Sequence, residues 1–181
     1  ITVRLCPESS LSGVGLRDFM ACVWYKRTLE IPDEWKGKRI LLHFGAVDDH
    51  ATVYINGKRA CEHRGGYTPF CTDITDLLTG EGDTVTLSAS DDLRSHLQPA
   101  GKQSSRYESY GCFYTRSTGI WQTVWLEAVD ARCYKKELKL TPDTATDSVT
   151  VGCGLEGDFR GPDLSARLLF DGRVVGSAKA V

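Results

Sequence analysis

Apolar and polar residues alternate over most of this chain with a period of two, the pattern of a half-buried β-strand. In residues 51–55, Val53 and Ile55 fall on one face and Thr52 and Tyr54 on the other. No segment keeps a helical period over three turns, so we predict an all-β chain. Strands are expected over residues 23–31, 39–44, 51–55, 58–63, 67–74, 84–90, 120–129, 136–141, 149–155, 164–170 and 174–178.

Turn signals separate several of these strands. Asn56-Gly57 stands between two strand-like runs, and both residue types accept a positive φ, so a two-residue hairpin is predicted there. Asp171-Gly172 is a second tight-turn pair, and residues 75–78 are expected to form one helical turn. Short strands with such turns between them favour a sandwich or a barrel.

The segment between Ser90 and Gly119 lacks the alternation of a strand. Loops of this length inside a compact domain are usually functional or disordered. Aromatic residues lie among its charged residues, which argues against disorder; they are Tyr107, Tyr110, Phe113 and Tyr114. We therefore predict that this segment is a functional loop.

A domain boundary is expected near residues 130–134, so that residues 1–130 and 131–181 form separate domains. The strands after it resemble the opening half of an immunoglobulin-like sandwich, which needs about seven strands. Because unpaired sheet edges associate with other chains, we expect an unusual homodimer, a swapped strand or local disorder after Tyr134. The chain starts with Ile1 and stops before the second sandwich could close, so we expect a piece of a protein that continues past Val181.

The composition of the chain argues against several classes of binding partner. The formal net charge is −2 and 25% of the residues are charged, which argues against a nucleic-acid partner. No window approaches the roughly 18 apolar residues of a membrane span. The seven cysteines are scattered and form no C-x-x-C pair, which favours reduced thiols in a cytoplasmic protein. The four histidines show no ligand-like spacing. We therefore predict no metal-binding residue and no cofactor, and leave a structural calcium open.

Several strings in the first 129 residues resemble a known family. The most specific is GCFYTRSTGIWQTVWLE at residues 111–127. Others are VWYKRTLEIP at 23–32, FGAVDDHATVYINGK at 44–58 and GGYTPFCTDITDLL at 65–78. Together they resemble the N-terminal domain of family 2 glycoside hydrolases, which include β-galactosidases, β-glucuronidases and β-mannosidases. Residues 6–20 and 91–104 are similar to a bacterial subgroup, and the resemblance weakens from Tyr134 onward.

The resemblance implies a jelly-roll, galactose-binding-like β-sandwich over residues 1–130, then a truncated immunoglobulin-like β-sandwich over 131–181. It also implies a catalytic (β/α)8 barrel, absent from this chain, with the two glutamates of a retaining mechanism. The chain would then be a non-catalytic part of a β-glycosidase, and its partners would be that barrel and a carbohydrate. A free-standing carbohydrate-binding module is the alternative, and a purely structural adhesion sandwich is a third.

The resemblance also nominates residues that contact the substrate. They are Asp18, Asp92, Gln98, Lys102 and Arg116. One family contact cannot be carried over, because Phe113 stands where some members have an aspartate six residues before the glycine of the Gly-Ile pair. For Arg116 the alternative is a structural tie between the loop and the sandwich. Trp24, Trp35 and Trp125 are expected to pack between the two sheets.

No catalytic residue is predicted within the chain. A retaining glycosidase needs two carboxyl groups about 5–5.5 Å apart, and the adjacent aspartate pairs are Asp48-Asp49 and Asp91-Asp92. Neighbours on a strand point to opposite faces, so neither pair can flank one bond. We interpret Asp48-Asp49 as solvated turn residues and leave Asp91-Asp92 open between a turn and a site.

Overall fold

The computed structural model describes residues 1–158 and 164–180, so Val181 lies outside it. The described residues form strands and short 3₁₀ turns without an α-helix, which confirms the predicted all-β fold. The 3₁₀ turns are Ser10–Ser12, Asp33–Trp35 and Thr75–Leu77. The strands are β1 (Cys22–Thr28), β2 (Arg39–Phe44), β3 (Val47–Asp48), β4 (His50–Ile55), β5 (Lys58–Arg64), β6 (Phe70–Asp73), β7 (Thr84–Ser90), β8 (Gly119–Ile120), β9 (Val124–Val129), β10 (Cys133–Asp143), β11 (Ser148–Gly157), β12 (Leu164–Phe170) and β13 (Arg173–Ala180).

The chain divides into two compact units, Ile1–Ala128 and Val129–Val181. The first unit contains a four-stranded sheet in the order β1-β7-β4-β5 and a three-stranded sheet in the order β6-β2-β9. The short strands β3 and β8 form a separate antiparallel pair. This arrangement is a β-sandwich whose two sheets share one core.

The core of the first unit comes from the inward positions of the alternating strands. Val53 and Ile55 of β4 are fully buried, as the period of two predicts, and Phe44 of β2 is 1% exposed. They belong to one cluster with Leu42, Ile74, Leu87 and Ile120. Each such side chain contributes roughly 1.5–3 kcal/mol when it leaves water, so this cluster supplies most of the stability of the sandwich.

The predicted hairpin at Asn56-Gly57 is confirmed. Both residues have positive φ, 51° and 78°, and Ile55 pairs with Lys58 across the turn. The Asn56 side chain donates to the carboxylate of Asp83 at 2.6 Å and accepts from the Thr84 N–H at 2.9 Å. The turn is therefore tied to the loop before β7 as well as to its own strands.

The prediction that three tryptophans pack between the sheets is wrong for two of them, Trp24 and Trp125. Trp24 is 64% exposed and Trp125 is 44% exposed. In β1 the side chain of Tyr25 packs against the core, so its neighbour Trp24 must point outward. On the outer faces, Trp24 stacks on Tyr54, and the Trp125 ring lies 4.8 Å from the ring of His43. Trp35 does pack against the core.

The predicted strand over residues 120–129 is divided in two. Ile120 pairs with Val47 in the short β3–β8 ladder, and β9 begins only at Val124. Between them, the Trp121 N–H donates to Ala46 O, and the Gly45 N–H donates to Thr123 O. The chain therefore changes partner strands over residues 121–123.

The sandwich is open on the side where β1 and β9 are edge strands. A cavity of about 880 Å³ lies there between the sheets. Its walls are largely apolar and include Val3, Tyr25, Trp35, Phe44, Leu87 and Leu126. The interior of the first unit is therefore accessible along this edge.

The second unit consists of two antiparallel hairpins, β10-β11 and β12-β13, at the positions of the four predicted strands. Asp171 and Gly172, with φ of 51° and 75°, form the turn of the second hairpin. All seven cysteines of the chain are unpaired. No helix among the described residues has the length and hydropathy that a membrane crossing requires.

Candidate functional site

Arg116 joins the long segment between β7 and β8 to the opening segment of the chain. Its side chain is buried, 3% exposed. Nη1 donates to the carbonyl of Arg106 at 2.6 Å, and Nη2 donates to the carbonyl of Arg17. The guanidinium also lies over the ring of Phe19, 3.8 Å from its centroid. Arg116 therefore ties the loop to the rest of the first unit, which is the alternative role that was predicted for it.

Phe19 contacts two guanidinium groups. The Cζ of Arg94 lies 3.3 Å from the same centroid. Each stack is a cation–π contact, worth about 0.5–2 kcal/mol. Phe19 is thereby fixed at the junction of the two segments.

A cavity of about 280 Å³ lies beside this junction. Its volume is near the lower end of roughly 300–1,000 Å³ that small-molecule sites occupy. Of the residues nominated from the sequence, Asp92 and Arg116 line it. The other lining residues are Phe19, Met20, Ala21, Asp91, Leu93, Arg94 and Thr118. The cavity thus combines an exposed carboxylate, guanidinium groups and an aromatic ring.

Gln98 fixes the turn that carries the two aspartates. Its Nε2 donates to Asp91 Oδ1 at 2.5 Å, and its Oε1 accepts from the Asp92 N–H at 3.3 Å. Asp91 is buried, 5% exposed, whereas Asp92 is exposed. The amide of Gln98 is therefore engaged within the protein, and Asp92 is the member of the pair that can meet a ligand.

The remaining nominated residues, Asp18 and Lys102, are both exposed. Asp18 lies between Arg17 and Phe19, and Arg116 contacts both of these neighbours. Arg116 therefore sets the position of the Asp18 backbone near the cavity. Lys102 does not line the cavity.

The interpretation of Asp48-Asp49 as solvated turn residues is wrong for Asp48, which is 2% exposed. Its Oδ2 accepts from Gln103 Nε2 at 2.8 Å, and Gln103 Oε1 accepts from the Ser117 N–H at 2.8 Å. Asp48 is covered because β3 pairs with β8 and the long segment folds over that pair. The sequence marks Gln103 as one of the polar residues of the long loop, but no local pattern predicts its contact with Asp48.

Burial raises the pKa of Asp48 to about 7, and the negative charge of Asp91 adds to this rise. The hydrogen bond from Gln103 acts in the opposite direction. The Oδ1 atom of Asp48 is buried and accepts no hydrogen bond from the described residues. Burial also raises the pKa of Asp91. The carboxyl group of Asp48 therefore changes its charge near neutral pH.

These carboxyl groups are placed for structure rather than for glycoside cleavage. The two carboxyl groups of a glycosidase must flank the bond that is cleaved. Asp48 and Asp91 are instead buried, and they accept hydrogen bonds from Gln103 and Gln98, respectively. Over residues 1–158 and 164–180, no group of three or more His, Cys, Asp or Glu side chains could hold a metal ion. The arrangement can bind and orient a polar ligand in the cavity.

The first unit is thus a β-sandwich with an ordered loop and a polar, aromatic cavity at its edge. Residues 10–108 match the family described as glycosyl hydrolases family 2, sugar binding domain. The chain belongs to this family, as the resemblance in its sequence implied.

Relatives of this chain are glycosidases. A β-glucuronidase of Paenibacillus borealis is 27% identical over 177 residues, which are 91% of this chain and 30% of the relative. A β-galactosidase of Thermoanaerobacter pseudethanolicus is 31% identical over 134 residues, 73% of this chain and 17% of the relative. The chain thus spans less than a third of the length of these relatives.

Solved structures support the same fold. A β-glucuronidase of Faecalibacterium prausnitzii superimposes with a TM-score of 0.72 and 25% identity, over 99% of this chain and 34% of that one. A β-glucuronidase of Ruminococcus gnavus, in complex with D-glucaro-d-lactam, gives a TM-score of 0.71 at 23% identity, over 91% of this chain and 29% of that one. This chain therefore shares its fold with about a third of each of these larger structures.

Proposed function

We propose that this chain is the non-catalytic, sugar-binding part of a retaining family 2 β-glycosidase. It supports a (β/α)8 barrel outside the chain and contributes loop residues to the sugar pocket of that barrel. The observation that carries the proposal is that the residues matched to the sugar-binding family include Phe19, Asp92 and Arg94, which build the cavity. The relatives named above lead us to propose a β-glucuronide or a β-galactoside as the substrate.

Each nominated residue has a role in this proposal. Asp92 accepts hydrogen bonds from sugar hydroxyls at the cavity, and Asp18 does so beside Phe19. Lys102 contacts the substrate from the far part of the loop. Arg116 orients the two segments, and Gln98 holds the turn of Asp91 and Asp92.

The chain alone is proposed to be inactive. The carboxyl groups whose pKa is raised, Asp48 and Asp91, are buried. They therefore cannot flank a glycosidic bond that a substrate brings to the surface. The nucleophile and the acid/base of a retaining reaction must then come from outside these residues.

Hydrolysis of aryl β-glycosides tests the proposal. A galactoside, a glucuronide, a mannoside and a glucoside are given to the 181-residue chain and to the longer protein that carries it. We expect the longer protein to cleave at least one and the chain to cleave none. In the longer protein, Asp92→Asn should raise KM about tenfold, because the substrate loses one hydrogen bond to a charged group. Asp33→Asn, an exposed change outside the cavity, should leave KM unchanged.

Two results would contradict the proposal. Turnover by the chain itself would place catalysis within these residues. A longer protein that binds sugars but cleaves none of the panel would instead indicate a carbohydrate-binding module without a catalytic barrel.

A further inference from the structure

Tyr67 and Trp121 come from distant parts of the first unit and are held side by side. Trp121 follows β8, and its indole N–H donates to the carbonyl of Gly66 at 2.8 Å. The ring of Tyr67 meets the ring of Trp121 edge to face, with centroids 6.1 Å apart and planes at 69°. This arrangement is the favoured geometry for two aromatic rings, so the orientation of Tyr67 is fixed from one side.

Tyr114 approaches Tyr67 from the long loop. Its N–H donates to the carbonyl of Lys102 at 2.9 Å, and its carbonyl accepts from the Ser104 N–H at 2.7 Å. The hydroxyl groups of Tyr67 and Tyr114 lie near each other, because both are within 4 Å of the position that a β-carbon on Gly101 would take. The two phenol rings therefore converge from separate segments.

Gly101 leaves the space in which the two hydroxyls meet. A β-carbon at this position would lie 2.9 Å from the Tyr67 hydroxyl and 3.6 Å from the Tyr114 hydroxyl. Its φ of 57° is also one that glycine adopts at little cost. Next to it, Lys102 is exposed, and Gln103 anchors this stretch to Asp48 and Ser117.

The two tyrosines stay half exposed although they are held in place. Tyr67 is 53% exposed and Tyr114 is 46% exposed. An exposed ring that is already ordered loses little entropy when a ligand covers it. The apolar C–H face of a pyranose fits a flat aromatic surface, and the phenol hydroxyls can exchange hydrogen bonds with its hydroxyls.

We propose that Tyr67 and Tyr114, the tyrosine platform, form a stacking site for the pyranose ring of a glycoside. The platform is separate from the cavity at Phe19, because the two share no lining residue. The inference rests on the proposed function, sugar binding by the first unit, and it assigns that binding to a surface. A glycan long enough to occupy both places would contact this unit through two sugar rings.

Saturation-transfer NMR on the 181-residue chain tests the platform. Methyl β-D-glucoside, methyl β-D-galactoside and methyl β-D-glucuronide are the probes. Irradiation of the aromatic resonances should saturate the axial ring protons of at least one of these sugars. Tyr67→Leu and Tyr114→Leu should each weaken its Kd at least about tenfold, since a leucine lacks the flat face.

Two sets of variants complete the experiment. Trp24→Leu changes an aromatic residue that is more exposed than either tyrosine, on the outer face of the four-stranded sheet, and should leave Kd within about twofold. Tyr67→Phe and Tyr114→Phe keep the rings and should lose less than the leucine variants. If a leucine variant does not fold, Gly101→Ala tests the same point, because the new β-carbon displaces the Tyr67 hydroxyl.

Unchanged affinity in both leucine variants would overturn the platform and place the sugar elsewhere. The platform would also be overturned if none of the probes received saturation. That result counts in the same way when other protein covers the two rings. Neither result changes what is expected from the hydrolysis of the aryl β-glycosides. The proposed function is therefore tested separately.

Discussion

The two oxygens of the Asp48 carboxyl have unlike surroundings. Oδ2 accepts the Gln103 amide, whereas Oδ1 is buried against Gly66 and receives no hydrogen bond among the described residues. A buried oxygen without a donor is costly when it is charged. This asymmetry explains why burial raises the pKa of Asp48 to about 7.

Asp48→Asn should remove part of the pH dependence of stability. Between about pH 4 and 7 the folded chain keeps a proton on Asp48 that the unfolded chain has released, so the free energy of unfolding falls as pH rises. The fall is at most about 4 kcal/mol and ends above pH 7. The variant should therefore match the parent near pH 4 and be more stable at pH 8.

Urea unfolding followed by tryptophan fluorescence measures this effect, because all four tryptophans lie in the first unit. Asp91, whose pKa burial also raises, contributes a slope of the same sign to both proteins, so their difference reports Asp48 together with its electrostatic coupling to Asp91. Asp83→Asn is the control of opposite sign. Hydrogen bonds from Thr79, Asn56 and Gly80 outweigh burial and keep the pKa of Asp83 below its usual range. An identical slope in the parent and Asp48→Asn would refute the assignment.

Single residues of the candidate site were only partly predictable. The sequence marks Asp92 and Arg116 through the family strings, and the structure brings both to one cavity. It gives no local sign that Asp48 is buried, because that burial depends on a strand far later in the chain. The contacts of Gln103 and Phe19 could not be predicted for the same reason, since their partners are distant in sequence.

The hairpin of β4 and β5 shows how a turn sets the register of an element. Both central residues have positive φ, and Ile55 faces Lys58 across the turn. A shift of one residue would move Val53 and Ile55 from the core to the solvent. The correct turn therefore protects the buried face of β4.

Gly57→Ala should destabilise the first unit by about 1–2 kcal/mol, because an alanine at φ of 78° is strained. No atom lies within 4 Å of the added β-carbon, so the cost comes from the backbone alone. Gly57→Asn is the matched variant and should cost less, since asparagine tolerates this conformation. The same fluorescence-detected unfolding compares them, and equal losses in the two variants would argue against the backbone explanation.

At the level of elements, alternation predicted the strands well and their ends less well. The predicted bounds of β2, β7 and β12 are those observed. The strand expected over residues 120–129 is split, since Ile120 finds a partner in β3 and β9 finds one in β2. A pattern of period two predicts which side chains are buried, but it does not predict which neighbouring strand provides the hydrogen bonds.

The two units differ in how much apolar surface they bury. Ile55 of the first unit is fully buried, whereas Leu140 of the second is 59% exposed. The second unit consists of separate two-stranded sheets, and such hairpins are marginally stable by themselves. The sequence predicted these four strands through their alternation and placed them after a boundary, but alternation alone could not show how little they bury.

Hydrogen exchange should separate the units. We expect the amides of β2, β4 and β7 to be protected for hours and those of β10 to β13 to exchange within minutes, because local stability follows buried contacts. Mass spectrometry of peptic fragments at two protein concentrations makes the measurement. Protection of β10 to β13 that grows with concentration would indicate pairing between copies, as expected for a homodimer. Equal protection of both units at high dilution would contradict this expectation.

The opening of about 880 Å³ beside β1 and β9 affects how the folding of this chain should be followed. Fluorescent dyes such as ANS brighten in accessible apolar space, and their signal is commonly taken as the mark of a molten globule. Here the native sandwich already offers such space, next to Trp35 and Leu126. A bright dye signal from this chain would therefore be compatible with a fully ordered native state, and near-ultraviolet circular dichroism is the better measure of intact packing.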